Sequence, residues 1–218
     1  MRSVYEQELK ELYVQLTSLG NAANESLHKA VTAYQNDDKE LAHELFSDDL
    51  RINASTADIE KAAYRIIALQ QPVARDLRLI FTVLHGSQDI ERIADHAVSI
   101  AKATMRLDEN FKDAPQINQV LMEMAEKVQV MLTDAITAFM EQDSRGAKAI
   151  AERDEEVDAL LSKLFKIVIK DMEEQSDVIT SGVSYIGVAR NLERIGDYVT
   201  NICERIVYLN TGEIIELN

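Results

Sequence analysis

The sequence predicts an all-α fold made of two homologous three-helix bundles in tandem, six long antiparallel helices in all. Three observations predict it. The 218 residues include only two Pro and seven Gly, so little breaks a helix once it starts. Apolar residues recur at intervals of three and four along almost the whole chain, the spacing that lays one stripe on a helix. The same row of residues is also written twice, about 105 positions apart. Trp is absent and aromatic residues make up 6 %, so the core must come mainly from Leu, Ile, Val, Ala and Met, which suits helix seams.

The first helix carries Leu9, Leu12, Leu16, Leu19, Ala23, Leu27, Ala30 and Tyr34 on one stripe. Asn36-Asp37-Asp38 ends it and supplies a cap for the second, which carries Leu41, Leu45, Ile52, Ile59 and Ile66. Gln70-Gln71-Pro72 stops the second helix, because a residue before proline avoids the helical region. The third runs roughly over 73–107 with Val83, Ile90, Ile93, Ala97 and Ile100 inward. The most polar break comes next, so the predicted units are 1–107, a linker over 108–116, and 117–218. The fourth helix carries Ile117, Leu121, Met124, Val128, Met131, Ala135 and Ala138, and the chain turns at Glu141-Gln142-Asp143-Ser144. The fifth is predicted as one helix through Ile150, Val157, Leu161, Leu164 and Val168. The sixth carries Tyr185, Val188, Leu192, Ile195, Val199, Ile202, Ile206 and Leu209, with Thr211-Gly212 as its stop.

The duplication is legible residue by residue. Ala30-Val31-Thr32-Ala33-Tyr34 matches Ala135-Ile136-Thr137-Ala138-Phe139, an offset of 135 − 30 = 105. The same offset sets Asp49 on Asp154 and Ile52 on Val157. Farther on, Ile90-Glu91-Arg92-Ile93-Ala94-Asp95 matches Leu192-Glu193-Arg194-Ile195-Gly196-Asp197 at 192 − 90 = 102. A three-helix unit can bury its own core, hence two similar bundles.

A formal net charge of −15 repels nucleic-acid backbones and anionic membrane surfaces, so neither is an expected partner. Cys203 is the lone cysteine, which excludes an intrachain disulfide and fits a reducing cytosol; its apolar setting predicts a buried packing thiol. The opening MRSVYEQELKEL has no apolar run of the signal-peptide kind, and no stretch approaches the roughly 18 apolar residues of a membrane span. A cytoplasmic protein is expected, reaching any membrane system through a protein partner.

Carboxylates carry the chemistry. Glu91 with Asp95, and Glu193 with Asp197, are i, i+4 pairs on one helix face, where like charges repel unless something positive sits between them. Asp154 with Asp158, and Asp49 with Asn53, repeat that spacing on helices five and two. Asp49 and Asp154 fall on the apolar rows, where a carboxylate is costly unless paired or ligated. Two acidic helices side by side would converge three or four oxygen ligands, a set for Mg, Ca or Mn, with Fe and Zn also held by carboxylate-rich clusters. Glu25-x-x-His28 and Glu40-x-x-His43 match the E-x-x-H of di-iron bundles. Neither His recurs in the second repeat and neither Glu lies on the apolar row, so they read as surface pairs. His85 and His96 read as partly exposed helix residues, and Arg75, Asp76, Arg78 and Lys102 as a solvated charged face. No nucleophile elbow or phosphate-cradling loop is present, so no catalytic residues are assigned and no enzyme is expected.

The ERIAD and ERIGD cores, the run LQQPVARDLR from Leu69 to Arg78 and the six-helix duplication together resemble the PhoU family of phosphate-uptake regulators, over nearly the whole chain. The resemblance implies a cytoplasmic, non-enzymatic accessory protein of the phosphate ABC transporter. Such a protein restrains phosphate uptake and the phosphate-starvation response by contact with the transporter's ATPase subunit and the phosphate-sensing histidine kinase, commonly as a homodimer. It also implies carboxylate-bound metal clusters, of Fe or Zn with Mg or Mn as further candidates. Carried over by position, the ligands are Asp49, Asn53, Glu91, Asp95, Asp154, Asp158, Glu193 and Asp197. Asn53 departs from the pattern, since an amide oxygen brings no charge, and predicts a weaker first site. The alternative reading is a carboxylate-bridged metal store or di-iron-type enzyme.

Overall fold

The structure, a computed structural model, describes residues 2–107 and 114–217. The described residues form seven α-helices and one 3₁₀ turn, joined by short turns and followed by an extended stretch over 213–217. The first repeat is α1 (Arg2–Asn36), α2 (Lys39–Gln70) and α3 (Ala74–Met105); the second is α4 (Pro115–Glu141), α5 (Ser144–Ala151), α6 (Asp154–Glu174) and α7 (Ile179–Thr211), with the 3₁₀ turn at Ser176–Val178. The predicted linker falls mostly on 108–113, outside the described residues; its last two positions open α4 with Pro115 at the first turn, where a missing N–H costs nothing.

The six-helix plan holds, with one difference. The predicted fifth helix is two segments, α5 and α6, separated at Glu152-Arg153. In α2 the equivalent residues, Ser47 and Asp48 at 152 − 105 and 153 − 105, stay helical. The difference lies beside Asp154. Its side chain is 3 % exposed and rests on the backbone of Gly196 in α7, where a Cβ would stand 2.3 Å from its Oδ1. At the matching place in α3 stands Ala94, whose methyl denies Asp49 the same depth, and Asp49 is only half-buried.

The turns that join the first two helices of each repeat are the same device. Asp37 and Gln142, 105 apart, both take left-handed φ of 50° and 54°. The next residue then bonds back into the finished helix, Asp38 N–H to the Ala33 carbonyl at 2.9 Å and Asp143 N–H to the Ala138 carbonyl at 2.8 Å. Each of those aspartates caps the next helix: Asp38 Oδ1 accepts from the Leu41 N–H at 2.9 Å, and Asp143 Oδ1 from the N–H groups of Arg145 and Gly146 at 3.0 and 2.9 Å. Removing such a cap typically costs about 1 kcal/mol. Asp143→Ala is therefore expected to lower the urea midpoint, and by as much as Asp38→Ala does; a silent Asp143→Ala would show that α5 holds without its cap.

Ion pairs repeat as well, with reversed polarity. Lys29 of α1 meets Asp48 of α2 at 3.0 Å, and Asp134 of α4 meets Arg153 at 2.6 Å, at offsets of 134 − 29 = 105 and 153 − 48 = 105. Pairing a first helix with the second helix of the wrong repeat would place Lys29 against Arg153 and Asp134 against Asp48, which disfavours that exchange.

Equivalent helices of the two repeats pair antiparallel. In α1 and α4, Tyr13 Oη donates to the Phe139 carbonyl at 2.6 Å and Asn24 Nδ2 to Thr133 Oγ1 at 3.0 Å. In α3 and α7, Arg78 donates to the Leu209 carbonyl, Thr82 to the Arg205 carbonyl, and His96 bonds Asn191. This is the pairing an approximate two-fold axis requires. On the 102-residue offset, the middle of the α3–α7 contact falls at Arg92-Ile93 and Arg194-Ile195, inside the two acidic motifs. The two bundles do not stay separate: one continuous apolar cluster runs from Leu12 through Ile93 and Met124 to Ile195 and Leu209.

That packing corrects the reading of Arg75, Asp76, Arg78 and Lys102 as a solvated face. Asp76 accepts from Tyr5 Oη at 2.8 Å, Arg75 reaches Gln142, Arg78 reaches the end of α7, and Lys102 lies over the Phe46 ring. Most of the group ties elements together, two of its members across the repeats.

Candidate functional site

Helix α3 carries Glu91 and Asp95 toward α2, and α7 carries Glu193 and Asp197 toward α6. In the first repeat, burial and then the charge of Asp95 hold the Glu91 carboxyl above the ordinary glutamate range; Arg92 opposes, and Asp49 and Glu60 add to the rise. Asp49 is raised by burial and then by Asp95, against Lys102 and Asn53. Asp49, Glu91 and Asp95 thus share one field, as the two-helix argument expects. Asn53 Nδ2 donates to Asp49 Oδ2 at 3.2 Å. The other oxygens, Asp49 Oδ1 and Asn53 Oδ1, are buried with no hydrogen-bond partner among the described residues.

The second repeat builds the counterpart. Burial, then Asp197 and, after the opposing Arg194, Asp158 raise Glu193; burial raises Asp197 against Arg194, with Asp158 adding to the rise and His96 pulling it back. Asp158 is exposed at the edge of this group, while Asp154 lies beneath it on the Gly196 backbone, one residue before Asp197. The arginines inside the motifs partly balance the charge: Arg92 sits 3.8 Å from Glu91, and Arg194 sits 3.9 Å from Glu193 and 3.2 Å from Asp197. Among the described residues no three His, Cys, Asp or Glu side chains are already drawn close enough to hold a metal ion.

Sequence reasoning missed two residues here, Glu60 and Asp89, and read a third, His96, as a partly exposed helix residue, which it is. Glu60 lies seven positions beyond Asn53 on the same face of α2, a spacing that could have revealed it, and accepts from Gln88 at 2.9 Å. His96 is no bystander: its Nδ1 bonds Asn191 Oδ1 at 2.8 Å and its ring lies 5.7 Å from that of Tyr198, joining the first motif to the second. Asp89 is half-buried between α3 and α7, where desolvation pushes its carboxyl to about 6 against Arg205 and Asn201. Nothing in a single sequence separates it from a surface aspartate. The E-x-x-H residues Glu25, His28, Glu40 and His43 are all exposed, Glu25 beside Lys29 at 3.5 Å. Cys203 is buried, and burial pushes its thiol up to about 12, as expected of a packing cysteine.

Fold and site together define an internally duplicated helical bundle with an acidic group in each repeat beside their shared crossing. The PhoU domain model matches the chain twice, over residues 16–104 and 121–206. A phosphate-specific transport system accessory protein PhoU homolog of Streptococcus pneumoniae is 38% identical over 218 residues, covering 100% of both chains. A homolog in Clostridium acetobutylicum is 35% identical over 218 residues, covering 100% of this chain and 99% of its own. The crystal structure of the phosphate transport system regulatory protein PhoU from S. pneumoniae superposes with a TM-score of 0.90 at 36% identity, covering 97% of this chain and 99% of that one. The crystal structure of PhoU from Pseudomonas aeruginosa gives 0.92 at 31% identity, covering 96% and 100%. The chain belongs to the PhoU family.

Proposed function

We propose that this protein is a non-enzymatic, cytoplasmic negative regulator of phosphate uptake and of the phosphate-starvation response. It acts by contact with the ATPase subunit of a phosphate ABC transporter and with a phosphate-sensing histidine kinase, and works as a homodimer. The observation that carries the reading is end-to-end similarity, over every residue of both chains, to proteins named as accessory to phosphate-specific transport. None of the described helices is long and apolar enough to cross a membrane, so contact with a membrane transporter would run through its partner subunits.

Metal belongs to the same proposal. The residues fit carboxylate-bound cations: two buried oxygens in the first repeat lack a donor, and Glu91, Asp49, Glu193 and Asp197 are held protonated to higher pH than usual by burial and by neighbouring carboxylates. Asp49, Asn53, Glu91 and Asp95 would hold one group of ions, and Asp154, Asp158, Glu193 and Asp197 the other; Fe or Zn leads, with Mg and Mn next. The bound ion would supply positive charge that lets both acidic helices stay ionised side by side. Arg92 and Arg194 already supply part of it.

Deletion of the gene in phosphate-rich medium tests the regulatory reading. Phosphate uptake and a starvation-responsive promoter are both expected to rise severalfold, and a plasmid copy should restore them. Unchanged uptake and a silent promoter in a strain with no second copy would overturn it, and the metal-store alternative would then stand first.

A further inference from the structure

After α7 the chain reverses at Gly212, whose φ of 78° is the left-handed conformation glycine adopts without strain. Residues 213–217 then run back over the helices. Their burial alternates: Ile215 and Leu217 are half-buried against the core, while Ile214 and Glu216 face outward. That two-residue period belongs to an extended strap. Near its end the backbone is held by a side chain, Leu217 N–H donating to Glu204 Oε1 at 3.0 Å. Two half-buried side chains and a bond of this kind make a hold that opens readily.

The strap borders a cleft of about 260 Å³ between α3 and α7, lined by Phe81, His85, Glu204, Arg205 and Tyr208 together with Ile214 and Ile215. Its apolar surface is left open. Phe81 is 39% exposed, its ring stacked 6.4 Å from that of His85, and Ile214 is 85% exposed. The cleft's wall carries both signs of charge: Arg205 and Glu204 line it, the Arg78 side chain packs beside Gly212, and burial and the Arg205 charge hold His85 toward its neutral form. The strap that borders this place reads Glu213-Ile214-Ile215-Glu216-Leu217, acidic and apolar.

We propose that the α3–α7 cleft is a docking site for an extended acidic and apolar segment of a partner protein, and that residues 213–217 close one side of it in cis as a displaceable strap. The bound segment donates a backbone N–H to Glu204, lays apolar side chains on Phe81 and Tyr208, and sets its carboxylates toward Arg78 and Arg205. Strap and partner segment compete for one surface, so docking is weakened until the strap lifts. A second copy of this chain is the poorer occupant, since two bodies of net charge −15 repel.

A fluorescent peptide of sequence GEIIELN tests this on the full chain. The Ile215→Ser/Leu217→Ser double variant, which releases the strap, is expected to bind the peptide at least tenfold more tightly than the unmodified chain, by fluorescence anisotropy. Adding Phe81→Asp should abolish that gain, and a GESSELN peptide should not bind. A chain ended after Gly212 repeats the measurement should the double substitution impair folding. Equal affinity for strapped and released chains, a gain that survives Phe81→Asp, or dimerisation of the released chain without peptide binding would each overturn the proposal.

Discussion

Gly196→Ala is expected to lower stability by about 2–3 kcal/mol, the cost of forcing extra volume into a packed site. In a chain of this size that is a fall in Tm of roughly 5–10 °C. The added methyl would stand 2.3 Å from Asp154 Oδ1 and 3.9 Å from Val157 Cγ1. The carboxyl must leave the seam, and the start of α6 moves with it. The cause is separable from a general dislike of change at the site. With Asp154→Ala in place the obstacle is gone, and Gly196→Ala should then be neutral or even gain up to about 1 kcal/mol from alanine's better helix propensity. An equal cost in both backgrounds, measured by urea unfolding, would show that the Gly196–Asp154 contact is not what fixes the residue. The reciprocal Ala94→Gly in the first repeat should cost only about 1 kcal/mol, since no carboxyl waits to fill the space.

This contact also marks where legibility in the sequence stops. The long helices, their turns and the two-fold writing of the chain could be read from periodicity and capping alone, because those signals are local: Asp38 and Asp143 cap wherever an apolar row comes after them. The acidic pairs were visible for the same reason, as i, i+4 spacing is a property of one helix. The division of the fifth helix was not visible. Its apolar row continues in register through Val157 and Leu164, and the turn that tightens at Glu152-Arg153, with Arg153 N–H bonding the Ile150 carbonyl, lies beside the place where Asp154 meets Gly196 of α7. Asp89, the partner of His96 and the arginines of the LQQPVARDLR run were missed or misread for one shared reason. Each acts across the α3–α7 contact or between helices, and a pairing between residues 67 to 131 positions apart leaves no mark on local pattern. The single continuous core has the same origin: each bundle's stripe predicts burial, not whether the buried faces of two bundles merge.

Metal-free protein is expected to be more stable at pH 5 than at pH 7.5. A carboxyl whose pKa is higher folded than unfolded carries more protons in the folded state between the two values, so stability falls as pH rises through that window. Asp89 sets the window, from its ordinary value of 3.8 to about 6, and Glu91, Asp49, Glu193 and Asp197 are all shifted in the same direction. The net charge of −15 reinforces the trend through self-repulsion. A divalent cation at the carboxylate clusters removes the same burden by another route. At a hundred times its Kd, one bound ion contributes about 2.7 kcal/mol, again roughly 5–10 °C in Tm. Because the ligands must be ionised, Zn²⁺ or Mn²⁺ should raise Tm much more at pH 7.5 than at pH 5. The paired substitution Glu91→Gln/Glu193→Gln makes the comparison decisive. It removes one of the mutually repelling charges from each cluster, so the metal-free variant should melt higher than the unmodified chain at pH 7.5, while its gain from added cation should fall by at least half. Cation shifts that are equal at both pH values, or untouched by the substitutions, would place the bound ions elsewhere on the acidic surface and leave these carboxylates as an electrostatic strain balanced by Arg92 and Arg194 alone.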